Sequence, residues 1–228
     1  MTADTAYQLV NFLANQFQRG NVSPTRFNLI INQASTSFLN YLLGQFQTYN
    51  YGKPESRVQF GVNETARQRL SPLINPLSSL TIDITGLASY PTGFEQVDAM
   101  FTITMDRIRF FPQHRLYSYL NDPIDPINTN PGYVLESGGF RFYPNATYNG
   151  TQLPGALISY VQTPAPIFWN STPDTNGRPI YTSAGSTGLP WYDVDNFEVV
   201  VRALKMVGVN LSVSELLQYG DAIIKQGQ

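Results

Sequence analysis

The residues able to do chemistry are few and poorly matched. A single histidine, His114, stands in FFPQHRLYSYL, and the chain of 228 residues contains no cysteine. Thiolate metal sites, cysteine nucleophiles and disulfides are thereby excluded. His114 also lacks the second ligand that an H-x-x-x-H zinc site needs. Serines are plentiful, but no G-x-S-x-G elbow presents one as a nucleophile, so a Ser-His-Asp set would rest on His114 with nothing local to support it. A lone histidine beside Arg115 reads as a surface or packing residue. Asp122 and Asp125 in NDPIDP are paired carboxylates of the kind glycosidases use, yet each precedes a proline, the mark of consecutive turns. The following NTNPG, with Glu136 beyond it, has neither the one-three-five ligand spacing nor the glycine placement of a calcium loop.

Neither glycine pattern that cradles phosphate is present, and ESGGFRF reads as a turn entering a strand. Sequons at Asn21, Asn63, Asn145, Asn149, Asn170 and Asn210 follow from the abundance of Asn, Ser and Thr in a chain with no leader pattern. Arginines 107, 109, 115, 141 and 178 are scattered, and a solvated or salt-bridged role is expected for them. No catalytic residue, cofactor or metal ligand is assigned, and the chain is expected not to be an enzyme.

Charged residues make up only 13% of the chain, about half the roughly 25% usual for a soluble domain, and the net charge is −2. Neither a basic footprint for nucleic acid nor an acidic tail is present. With 18 Asn and 15 Gln, the polar surface is expected to be largely neutral amide and hydroxyl. The 14 Tyr and 14 Phe then matter, because surfaces poor in charge and rich in aromatics resemble the centres of protein interfaces. The opening MTADTAYQLV has an acid at Asp4, no basic region and no apolar run of signal length, and no segment reaches the length of a membrane span. A soluble chain without membrane contact is expected.

The elements that position these residues begin with a helix capped by Asp4 or Thr5. Tyr7, Val10, Leu13 or Ala14, and Phe17 lie on one face, and Gly20 is the stop. Ser23 and Pro24 start a second helix carrying Phe27, Ile30, Ile31, Ala34, Phe38, Tyr41 and Leu42 in one stripe, which makes an αα-hairpin. A short helix is expected around Asn63 to Leu70. Strand patterns follow: Leu80, Ile82 and Ile84 alternate with polar residues, as do Phe101, Ile103 and Met105. Ile108 and Phe110 then take the apolar role on the opposite parity, so a turn or bulge is expected near Asp106-Arg107. Gly139 to Tyr143 and Ala156 to Val161 are further strands, and Pro112 to Asn121 a short helix closed by the DPIDP turn. Residues 164–193, with five prolines and three glycines, read as a long irregular arm. Its aromatics argue against plain disorder, so it is expected to order against something, with Phe168, Trp169, Tyr181, Trp191 and Tyr192 as candidate subunit-interface anchors. Asp195 is the expected cap of a helix with inner face Phe197, Val200, Val201, Leu204 and Val207, stopped by Gly208. Ser212 and Glu215 form a capping box before a last helix.

The fold class is therefore α+β, with N-terminal and C-terminal helical hairpins flanking a mainly antiparallel β-rich middle and a long irregular arm. The boundaries are 1–50, 51–163, 164–193 and 194–228, within one structural domain overall.

Four stretches carry a resemblance: QRGNVSPTRFNLIINQASTSFLNYL, LYSYLNDPIDPINTNPGYVLESGGFRFYPN, ISYVQTPAPIFW and GVNLSVSELLQYGDAIIKQG. Together they resemble a family of virion structural proteins from tailed phages of the crAss-like and Bacteroidetes-infecting type. The family has a helix ending in a basic-Gly corner before Ser/Thr-Pro and a Phe-Asn pair, then a Pro-rich turn and a strand ending in Tyr-Pro. The arm, 164–193, has no matched family pattern. The resemblance implies a neck or head-to-tail connector component: a homo-oligomeric ring, twelvefold by analogy with portal symmetry, bound to the portal and to other neck or tail proteins. It would be made in the host cytoplasm and would encircle genome DNA without sequence-specific binding. The alternative reading is a tail-associated receptor- or glycan-binding module in which exposed Trp and Tyr stack on sugars, and a tail hydrolase comes third.

Overall fold

The computed structural model describes residues 1–17, 20–46, 65–121, 130–146 and 153–208. Helices α1 (Ala3–Gln16), α2 (Pro24–Phe46) and the short α3 (residues 65–70) precede strands β1 (Ile74–Leu80), β2 (Leu87–Ser89), β3 (Phe94–Thr102) and β4 (Arg109–Phe110). Next come α4 (Leu116–Leu120), β5 (Gly132–Glu136), β6 (Gly139–Tyr143), β7 (Ala156–Gln162), β8 (Ser171–Pro173), β9 (Pro179–Tyr181) and α5 (Asp193–Val207). The fold class is α+β, with mainly antiparallel sheets. No described helix is long and apolar enough to cross a membrane. Two compact units divide the chain: one holds residues up to Leu73 and from Pro164 onward, the other Ile74–Thr163.

In the helical unit, Thr2 caps α1 through its Oγ1, which accepts the Thr5 N–H at 3.2 Å. The expected caps Asp4 and Thr5 lie inside the first turn instead. The buried face of α1 is Ala3, Ala6, Val10, Leu13 and Ala14, while Phe17 is its half-exposed C-cap. Ser23 precedes α2 as expected: its carbonyl accepts from Phe27 N–H at 2.8 Å and its Oγ from Arg26 N–H at 3.4 Å. The α2 stripe Phe27, Ile31, Ala34, Phe38 and Leu42 is buried, and Tyr41 falls outside it, half exposed under the Arg202 guanidinium. Helix α5 packs along α2 and also touches α1. It buries Val199, Val200, Val201, Ala203 and Leu204, and ends at Gly208 in the left-handed conformation, φ 97°. Its N-cap is Tyr192, not Asp195. The Ser212–Glu215 capping box and its helix lie outside the described residues, as do Gln18 and Arg19 of the first corner.

In the second unit, β7 is the middle strand of the sheet β1-β7-β3, antiparallel to both neighbours. Ala156 and then Ile158, Ser159, Tyr160 and Val161 in succession are buried, so both faces of β7 are covered, which explains its near-continuous apolar sequence. The second sheet runs β2-β6-β5-β4, antiparallel except for the short parallel pair β4 and β5. Both sheets contribute to one core: Leu80, Met100 and Ile158 from the first, Tyr133, Phe140 and Phe142 from the second. Phe140 is its centre, met edge-on by Tyr90, Phe94 and Tyr133 at ring-centroid distances of 4.8, 5.2 and 5.8 Å, the arrangement ring quadrupoles favour. Between Phe140 and Phe142, Arg141 faces outward and pairs with Glu136 at 2.6 Å.

Two strand expectations are corrected. The alternation through Ile82 and Ile84 does not continue the strand: β1 stops at Leu80, and Ile84 is 75% exposed. The Asp83 carboxylate accepts Thr85 N–H, Thr85 Oγ1–H and Leu87 N–H at 2.7–2.8 Å, closing a turn that Gly86 (φ 84°) completes. These bonds hold its pKa below the usual carboxylate value. Likewise β3 ends at Thr102, and the turn occupies Ile103 and Thr104, slightly ahead of the expected Asp106-Arg107. The helical stretch at 113–120 is present, as a 3₁₀ turn at Gln113–Arg115 leading into α4, with His114 exposed.

Gly132 illustrates how closely the unit is packed. A Cβ there would overlap the Phe111 ring, which is buried and stacked on Tyr119 at 4.4 Å and so has nowhere to swing. Gly132→Ala is expected to lower stability by about 1–3 kcal/mol, read from urea unfolding; an unchanged midpoint would refute the clash. Burial also pushes the Tyr133 phenol up to about 12. Its neutral form is favoured in the folded chain, so that contribution is intact below the ordinary tyrosine value near 10 and is lost as pH rises from about 10 to about 12. Stability against urea should fall across that window, less steeply in Tyr133→Phe.

Candidate functional site

Part of the arm is regular. Residues 168–187 form a two-stranded ribbon: β8 pairs with β9, Phe168 and Thr187 exchange backbone hydrogen bonds at 2.8 and 3.1 Å, and Thr182 N–H reaches Asn170 C=O at 3.0 Å. The tip is an Asp174 turn, whose carboxylate accepts Asn176 and Arg178 N–H at 2.7 and 2.8 Å. Such a ribbon leaves the outer edge of each strand without a ladder partner. Here α2 supplies the partner. The Asn32 carboxamide accepts from Ile167 N–H and donates to Ile167 C=O at 2.8 and 2.7 Å, and Asn28 does the same for Trp169 at 2.8 and 3.2 Å. The match is geometric: four residues of helix advance about 6 Å, two residues of strand roughly 6.6 Å. Two asparagines one turn apart therefore imitate a neighbouring strand.

This pairing fixes which side chains face inward. Ile167 is fully buried and Trp169 is 4% exposed. The Trp169 ring lies on Tyr7 at 4.2 Å between centroids, and its Nε1–H donates to Asp4 Oδ1 at 3.0 Å. Tyr181 flanks it at 5.9 Å. Farther on, Trp191 is 5% exposed, meets Phe38 edge-on at 4.8 Å and donates to Ser35 Oγ at 2.9 Å. Trp169 and Trp191, two of the five candidate interface anchors, thus hold the arm to its own helices. Phe168 and Tyr192 are the exposed members of the expected set, at 46% and 54%, and Tyr192 shares a 2.7 Å hydrogen bond with Ser71.

Below Trp191, Asp195 is buried and paired with Arg69 at 2.6 Å. The Arg69 and Arg202 guanidinium groups lie 5.1 and 5.5 Å from the Phe38 centroid. This ties α3, α2 and α5 together at the point where the arm rejoins the helix.

Magnitudes separate the roles. Burying a tryptophan removes roughly 150–250 Å² from water, an upper estimate of about 4–6 kcal/mol at 25 cal/mol/Å². Each carboxamide hydrogen bond nets about 1 kcal/mol. The rings hold the arm down, and the asparagines set its register. Sequence reading missed Asn28, Asn32 and Ile167; the available signal was two amides spaced i, i+4 beside the apolar stripe of α2. Asp122 and Asp125 lie outside the described residues. Compared with known proteins, the chain matches no protein-family model and no curated protein.

Asn32→Asp removes the donor to Ile167 C=O and places a carboxylate against it. It should cost about 1–3 kcal/mol and make residues 164–193 cleave faster under limited proteolysis. Asn40→Asp, on the exposed side of α2, should do neither; equal behaviour of the two variants would refute the pairing role.

Proposed function

We propose that the chain is a non-enzymatic virion structural protein, a subunit of a neck or head-to-tail connector ring that links portal to tail around the DNA channel. The sequence resemblance suggests the class. The observation that carries the reading is the arm's outer face. Phe168, Ile180 and Tyr192 are 46%, 54% and 54% exposed on a segment whose inner face is already fixed to the helices. A surface held rigid before binding loses less conformational entropy when a neighbour covers it, and exposed aromatics are favoured interface anchors. Subunit contacts are therefore assigned to this outer face, with the tryptophans as its internal support. The glycan-binding alternative is less well supported, since both tryptophan rings that would stack on sugars are covered by the chain itself.

The test is the mass of the purified chain by light scattering, alone and mixed with the portal protein of its phage. A ring, or a chain that joins the portal complex, is expected. Phe168→Ser with Ile180→Ser should abolish that assembly with unchanged far-ultraviolet dichroism, because both side chains are exposed. A chain that stays monomeric and ignores the portal at high concentration would overturn the connector reading.

A further inference from the structure

The β unit holds a cleft of about 340 Å³ between residues 97–100 on one side and residues 107–110 with Tyr133 on the other. It exists because a ladder ends early. After the turn at Thr102, the returning chain pairs with β3 only as far as Ile108 N–H to Met100 C=O, 2.9 Å. Arg109 N–H already bonds to Pro131 C=O at 3.1 Å, and β4 continues beside β5 in the other sheet. The chain crosses between sheets within two residues. Ahead of Met100, β3 is left as the outermost strand of its sheet among the described residues.

The cleft joins an apolar interior to a mouth that carries Arg107. Met100, Ile108 and Tyr133 are buried. Arg107 is exposed and, unlike Arg69, Arg141 and Arg202, has no carboxylate partner among the described residues. Arg109, two positions along, also lines the cleft and makes contacts of its own. The carboxylate of the cleft, Asp98, accepts a hydrogen bond from Ser159 Oγ at 3.0 Å. Open strand edges take extended segments through main-chain hydrogen bonds, with side-chain pockets giving selectivity. A cation beside such an edge selects for an acidic residue. The volume is at the low end for ligand pockets, enough for one or two side chains.

We propose that this cleft docks an extended acidic segment of a partner protein, its main chain along the β3 edge and one carboxylate on Arg107. The inference rests on the β unit alone and stands apart from the connector reading. The test uses the ¹⁵N-labelled full chain titrated with the blocked peptide acetyl-Val-Glu-Val-Thr-amide and with its Gln counterpart. The Glu peptide should shift the amides of residues 97–100 and 107–110. Binding should weaken about three- to tenfold with the Gln peptide or in Arg107→Gln, and should be unaffected by Arg178→Gln, at the exposed tip of the arm. If Arg107→Gln disturbs the spectrum of the free chain, the comparison of the two peptides decides. No shift at residues 97–100 with millimolar peptide, equal binding of the Gln peptide, or free glutamate reproducing the whole pattern would each overturn the proposal.

Discussion

Two carboxamides on one face of α2 stand in for a β-strand, and the helical unit is organised around that substitution. A ribbon laid on a helix would ordinarily leave its near edge unsatisfied, at a cost of about 1–3 kcal/mol for each buried peptide group without a partner. Asn28 and Asn32 pair both peptide groups of Trp169 and of Ile167. Because side chains alternate along a strand, this choice of register also decides that Ile167 and Trp169 face the helices and Phe168 faces water. A slip of one residue would bury Phe168 and expose the ring that now lies on Tyr7. The register in turn brings the chain to Trp191, and so to the start of α5 where Asp195 meets Arg69.

The polar groups in that unit specify more than they stabilise. Asp4, Ser35, Asn28 and Asn32 each meet a single donor or peptide on the arm, while the apolar rings supply most of the burial. The Arg69–Asp195 pair follows the same logic: ions taken from water gain little net stability, but separating them is costly. In a chain with only 14 Lys and Arg, amides and hydroxyls take over the positioning that charges perform elsewhere. The high Asn content is in part the means by which this fold fixes its register.

Features stated by local periodicity were legible in the sequence, and features set by distant partners were not. The stripe on α2, the Phe140/Phe142 face of β6 and the buried run of β7 all follow from spacing alone. Strand β1 was hidden because Asn75-Pro76 and Ser78-Ser79 look like loop; the structure absorbs Pro76 in a bulge between Asn75 and Ser78 on an edge strand, where proline is tolerated, and Ser78 and Ser79 pair in register with β7. The ribbon was hidden for a related reason, with Pro173 opposite Pro179. The aromatics of the arm are a sequence signal that it orders against something. That the something is the chain's own helices depends on contacts more than 130 positions apart, such as Asn32 with Ile167, which no local pattern encodes.

The cleft has its own physical origin at one end of the first sheet. Leu80 and Thr102 both sit opposite Ala156, so the segments leaving β1 and β3 emerge at the same end. Each is closed by side-chain hydrogen bonds rather than left loose. Asp83 gathers three donors. Thr102, Thr104 and Asp106 form a chain of contacts at 2.7, 2.8 and 3.0 Å. Met105 is held at φ 69°, a conformation that costs a side-chain-bearing residue roughly 1–2 kcal/mol. That strain is the cost of turning β3 back on itself in so few residues, and the threonine network offsets it. With the turn fixed, the returning strand has a set direction, and it leaves β3 for β5 as soon as Pro131 offers a carbonyl to Arg109. The gap beside residues 97–100 is therefore a product of rigid turn geometry, which is what a recognition edge requires if it is to be present before its partner arrives.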